Sequence, residues 1–77
     1  MLQEEIGRRV YQLRIMTDKY TQQQLADLVG CDKTFIYKIE TGKQNATIST
    51  INDICNALDI SLSKFFAPLN GKYESKK

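Results

Sequence analysis

The chain has 77 residues, 42% of them hydrophobic, with eleven Lys and Arg against nine Asp and Glu, and it contains no histidine. That length fills one small core and leaves nothing for a second domain, and the missing histidine removes the commonest general base and nitrogen ligand. Cys31 and Cys55 cannot complete a four-ligand zinc site by themselves, so the composition points away from catalysis, metal and cofactor.

The N-terminal residues Leu2, Gln3, Glu4 and Glu5 offer neither a basic nor an apolar export region, and no apolar run approaches membrane-spanning length. A cytoplasmic protein with reduced thiols and no membrane partner is the expectation. From Leu2 to about Thr17, Leu2, Ile6, Val10 and Leu13 recur at helical spacing and predict one apolar stripe, with Arg8, Arg9 and Gln12 outside it. Asp18, Lys19 and Tyr20 carry no periodicity and read as a loop. Thr21 followed by Gln24 fits a capping box, in which each side chain takes up the other's orphan backbone donor. The second helix then runs to Val29, with Leu25, Leu28 and Val29 on its inner side, and Gly30 stops it.

Asp32 caps a third helix over residues 33–40. At about 100° per residue, Phe35, Ile36 and Ile39 gather on one side while Lys33, Thr34, Tyr37 and Lys38 occupy the other. Residues 1–70 carry eight basic and eight acidic groups, yet residues 33–43 hold Lys33, Lys38 and Lys43 against Glu40 alone. A polyanion-binding surface must therefore come from arrangement rather than from net charge. After Gly42 and the polar loop "KQNA", Thr47 or Ser49 caps a fourth helix with Ile48, Ile51, Ile54, Cys55 and Leu58 at three- and four-residue steps. Asp59 takes the left-handed terminator position. Ser61 caps a short fifth helix with Leu62, Phe65 and Phe66, which Pro68 is expected to end. The organisation expected is one all-helical domain over residues 1–69 and a polar, flexible tail over 70–77.

Two short helices around a three-residue turn form a helix-turn-helix layout. The stretch "TQQQLADLVGCDKTFIYKIETGK", followed by "TISTINDICNALDISLSKFF", resembles the Cro and phage-repressor type of helix-turn-helix regulator, also called the xenobiotic-response-element family. Thr21, Gln22, Leu25, Ala26, Gly30, Ile39, Glu40, Gly42, Ala57, Leu58, Ser61 and Phe65 carry the likeness, which spans about residues 6–66. Within that family, the chain is similar to the small controller proteins of restriction-modification operons. The resemblance implies a five-helix, lambda-repressor-like bundle that binds double-stranded operator DNA as a homodimer, as repressor and also activator.

On this reading Lys33 and Thr34 open the recognition helix and reach base edges, with Lys38 and Tyr37 further along. The DNA backbone falls to Thr21 and Gln22 at the start of the second helix, where amide groups and the helix's positive end favour a phosphate, and to Lys43, Gln44 and Asn45 beyond the third. By resemblance, Arg14 and Glu40 form a partly buried ion pair. Leu62, Phe66 and Leu69 are the expected dimer surface, because with Phe65 they exceed what so small a core hides. No small-molecule effector is evident. A protein-interaction module of antitoxin type, with DNA binding secondary, is the competing function.

Overall fold

The computed structural model describes residues 2–18 and 20–73, and they form five helices: α1 (Leu2–Thr17), α2 (Gln22–Val29), α3 (Lys33–Glu40), α4 (Ile48–Leu58) and α5 (Leu62–Tyr73). No strand occurs among the described residues, and none of these helices is long and apolar enough to cross a membrane. The bundle is all-α.

Four of the five helices begin where a side-chain oxygen takes up an orphan N–H. Thr21 accepts from the Gln24 amide while the Gln24 side chain accepts from the Thr21 N–H, closing the capping box over α2. Asp32 accepts from the Phe35 N–H at 2.8 Å, Thr47 from that of Thr50 at 3.2 Å and Ser61 from that of Lys64 at 3.0 Å. Between α2 and α3 the chain reverses through Gly30, whose φ of +89° lies in the left-handed region that costs glycine nothing. Asp59 adopts the same region after α4, at φ 60°.

The core is built by all five helices: Val10 and Leu13 from α1, Leu25 and Ala26 from α2, Ile36 and Ile39 from α3, Ile51, Ile54, Cys55 and Leu58 from α4, and Phe65 from α5. α3 is packed against both α1 and α2, and α4 lies against α1, α2 and α5. The expected stripes need three corrections. Leu2, in the first turn of α1, is 47% exposed, and Leu28 is 55% exposed while Ala26 of the same helix is fully buried. Leu25, Ala26 and Val29 make the inner side of α2, and Leu28 lies off it. The third is Ile48, which is 65% exposed in the first turn of α4 while Ile51, Ile54, Cys55 and Leu58 are buried. Cys31 and Cys55 are free thiols, and burial is the main influence pushing both above the ordinary thiol pKa.

Pro68 does not end α5, which continues to Tyr73 with the proline inside it. A proline within a helix removes the N–H that would have bonded the carbonyl four residues back, here Lys64. Arg9 supplies the missing donor: its Nη2 donates to the Lys64 carbonyl at 2.9 Å and its Nε to the Phe65 carbonyl at 2.7 Å. The expected domain boundary after Leu69 therefore falls inside a helix, and the part of the expected tail beyond Tyr73 lies outside the described residues. Leu69 is also buried within the chain at 7% exposure, lining the α1–α5 groove with Arg9 and Pro68, so little of it is left for a dimer partner.

Candidate nucleic-acid interface

The two faces of α3 separate cleanly. Ile36 and Ile39 are essentially inaccessible and Phe35 is packed against the core, whereas Lys33, Thr34, Tyr37 and Lys38 are all exposed. One helix thus turns two cations, a hydroxyl and a phenol toward solvent on a rigid, apolar-anchored frame, with no carboxylate of its own on that face. Glu40, the only acid of α3, is turned inward, and its side chain is 2% exposed.

Beyond α3 the chain folds back on itself. The Thr41 hydroxyl donates to the Tyr37 carbonyl at 2.9 Å, and the Lys43 and Gln44 amides donate to the Lys38 carbonyl at 2.8 and 3.2 Å. These bonds hold the following loop against the end of the helix. They bring the Lys43 Nζ to 5.8 Å from the centroid of the Tyr37 ring, within cation–π range, so a loop lysine extends the basic face of α3. Gln44 and Asn45 are exposed in the same loop.

At the start of α2, the first intrahelical bond is Leu25 N–H to the Thr21 carbonyl, and the Thr21 hydroxyl oxygen is taken by the Gln24 amide. The amides of Gln22 and Gln23 lie ahead of that first bond and have no carbonyl within the helix to bond. They form the positive end of α2, suited to an anion. The Gln22 side chain is partly exposed beside them.

Arg14, on α1, places its Nε 2.7 Å from Glu40 Oε2 and its Nη2 3.0 Å from Oε1, a two-pronged contact between buried side chains. Arg14 Nη1 also donates to the Tyr20 carbonyl at 3.3 Å, and the guanidinium lies 5.6 Å from the Tyr11 ring centroid. Its hydrogen bond to Glu40 outweighs burial and raises the Arg14 pKa above the ordinary arginine value. The pair fixes α1 to the last residue of α3.

Three features of this site are not apparent from periodicity. A Cβ on Gly7 would collide with the Ile39 carbonyl oxygen and come within 3.2 Å of the Glu40 backbone, so α1 crosses the end of α3 at its glycine. Gln3 donates its side-chain amide to the Gly42 carbonyl at 2.6 Å. The Gln22 amide donates to Glu40 Oε1 at 2.9 Å, so the carboxylate that meets α1 also meets α2. Only Gly7 left a signal in the sequence: a glycine inside a helical pattern costs about 1 kcal/mol against alanine and marks a close backbone approach.

A sequence model described as helix-turn-helix matches residues 10–65. Among solved structures, the restriction-modification controller protein C.AhdI from Aeromonas hydrophila superposes with a TM-score of 0.76 at 30% identity, covering 82% of this chain and 90% of that one. A tyrosine-to-phenylalanine mutant of the restriction-modification controller protein C.Esp1396I superposes with a TM-score of 0.83 at 27% identity, over 100% of this chain and 96% of that one. The clp gene regulator ClgR from C. glutamicum shares the fold, with a TM-score of 0.84 at 20% identity over 92% of this chain and 90% of that one. No curated protein sequence matches the chain. With α2, the turn, α3, α4 and the second half of α1 inside the matched region, the chain belongs to the helix-turn-helix family of DNA-binding transcription regulators.

Proposed function

We propose that this chain is a non-catalytic, sequence-specific regulator that binds a pseudo-palindromic operator as a homodimer, with α3 in the major groove. The observation that carries the reading is the division of α3 into a core-packed apolar face, with Ile36 and Ile39 inaccessible, and an exposed face of Lys33, Thr34, Tyr37 and Lys38. Lys33 would donate to guanine O6 and N7 and Thr34 would meet a thymine methyl or a base-edge acceptor, since the first turn of a recognition helix reaches deepest. Lys38 and Tyr37 lie further along the groove. Gln22 with the first amides of α2, the Thr21 hydroxyl, and Lys43, Gln44 and Asn45 would hold the two phosphate walls and set the register. The likeness to two restriction-modification controllers supports a controller-type role, with control of neighbouring transcription by occupancy of the operator in the cytoplasm.

A single helix of eight residues reads half a site, and a second copy would place its own α3 about 34 Å away in the next major groove. Leu62 and Phe66 on α5 remain only partly covered and form our proposed dimer contact; Phe65, edge-on to Phe66 at 4.9 Å between ring centroids, backs them from the core. Leu69 contributes little beyond its intramolecular packing. Fluorescence anisotropy with labelled DNA tests the reading. Affinity for the DNA upstream of this chain's own coding sequence should exceed that for a scrambled duplex and fall steeply with salt, as released counterions require. Equal affinity for both duplexes would contradict it. Sedimentation of Phe66→Glu should show monomers where the parent shows dimers.

A further inference from the structure

Gly42 lies just past the end of α3, and the first turn of α1 is packed directly on it: a Cβ there would stand 2.7 Å from Glu4 Cγ and 3.1 Å from Glu4 Cα. Its φ of +77° is left-handed as well, so both space and backbone call for glycine. The peptide unit between Gly42 and Lys43 is held at both ends. Its carbonyl accepts from the Gln3 side-chain amide of α1 at 2.6 Å, and its N–H, that of Lys43, donates to the Lys38 carbonyl of α3 at 2.8 Å. A peptide unit is planar, so fixing its two polar ends fixes the plane from which the Lys43 side chain departs. That side chain brings its Nζ to 5.8 Å from the centroid of the Tyr37 ring, on the outer face of α3.

We infer that Gln3 is a positioning residue for DNA binding: from α1, outside the helix-turn-helix, it latches the loop after α3 so that Lys43 stands on the reading side of the molecule. This rests on the regulator reading above. Lys33 and Lys38 are placed by α3 itself, whereas Lys43 lies in a loop and needs a support other than helical hydrogen bonds. Without the Gln3 donor the peptide unit keeps its N–H bond to Lys38, but its carbonyl is free to rotate and the Lys43 stem spreads over more orientations. The cost of ordering that stem then falls on DNA binding. Because the contact at stake is a cation on the phosphate backbone, the effect of Gln3 passes through Lys43 and reads no base.

The experiment uses Gln3→Met, which keeps the stem and loses the donor, alone and together with Lys43→Ala. Affinity for a labelled duplex of arbitrary sequence is measured across a salt titration for the parent, both single variants and the double variant. Backbone contacts govern binding to such a duplex, so the operator sequence is not needed. Gln3→Met should bind about fivefold more weakly than the parent, with a shallower salt slope, and should change affinity less than about 1.5-fold once Lys43 is replaced by alanine. A general loss of stability acts in both backgrounds and cancels in that comparison. An equal loss in both backgrounds, or no loss in either, would overturn the latch. If Lys43→Ala alone keeps the parent's affinity and salt slope, Lys43 is no part of the DNA surface and the latch falls while α3 remains the reader. A parent protein without affinity for duplex DNA would overturn the regulator reading itself.

Discussion

Helices α3 and α5 each pack an apolar face against the core and each is capped at its start by a neighbouring side chain, yet they are held in different ways. α3 follows its own residues: Asp32 caps it, Ile36 and Ile39 anchor it, and its outer face is left free. α5 carries Pro68 inside it and depends on Arg9, 55 and 56 positions away in sequence, for donors to the Lys64 and Phe65 carbonyls. A helix that keeps its own hydrogen bonds can devote its outer face to a ligand. A helix with a broken ladder must borrow a partner, and borrowing fixes its direction against α1.

The largest effect is expected where α3 itself borrows. Arg14→Met would leave the Glu40 carboxylate buried with Gln22 as its remaining side-chain donor, costing about 3 to 5 kcal/mol in urea-induced unfolding. A double-mutant cycle with Glu40→Gln should show strong coupling, and coupling of only a few tenths of a kcal/mol would mean that α3 stands without this tether. Next comes Gly7→Ala, which forces α1 off the Ile39 carbonyl and should cost about 1 to 3 kcal/mol, read as a lowered denaturant midpoint. Arg9→Met leaves the Lys64 carbonyl, which Pro68 cannot bond, without the Arg9 donor and removes a further bond to the Phe65 carbonyl, and should cost about 1 to 2 kcal/mol. Hydrogen exchange sharpens this case: protection should fall in α5 while α3 keeps its own. Uniform loss across both helices would erase the distinction between them. The smallest effect on stability belongs to Lys33→Ala, expected within about 0.5 kcal/mol because the side chain is exposed, although DNA affinity should fall by about 1 to 3 kcal/mol.

The same contrast explains what could be read before folding. The bounds of α2 and α3, their caps at Thr21 and Asp32, and the outward set Lys33, Thr34, Tyr37 and Lys38 follow from spacing and local hydrogen bonding, which neighbours in the chain decide. Leu2 and Ile48, the first residues of α1 and α4, deceived because periodicity marks a direction around a helix and not how far along it a neighbour extends, and Leu28 because an eight-residue helix leaves Ala26 and Leu28 competing for the inner side. The continuation of α5 past Pro68 was hidden because its cause is a donor on α1. The Gln22–Glu40 bond was equally invisible: glutamine at a helix start reads as a solvated amide until the fold brings the end of α3 beside it. Arg14 and Glu40 emerged through family resemblance rather than through spacing, since residues 26 positions apart share no local pattern.

The most direct test of the account is a footprint of the protein on the DNA upstream of its own coding sequence, repeated with Lys33→Ala. Two protected half-sites about one helical turn apart are expected, with Lys33→Ala folding normally but protecting them poorly and with relaxed sequence preference. An unchanged footprint from Lys33→Ala, or no discrete protected site for the parent protein, would contradict the assignment of the outer face of α3 as the reading surface.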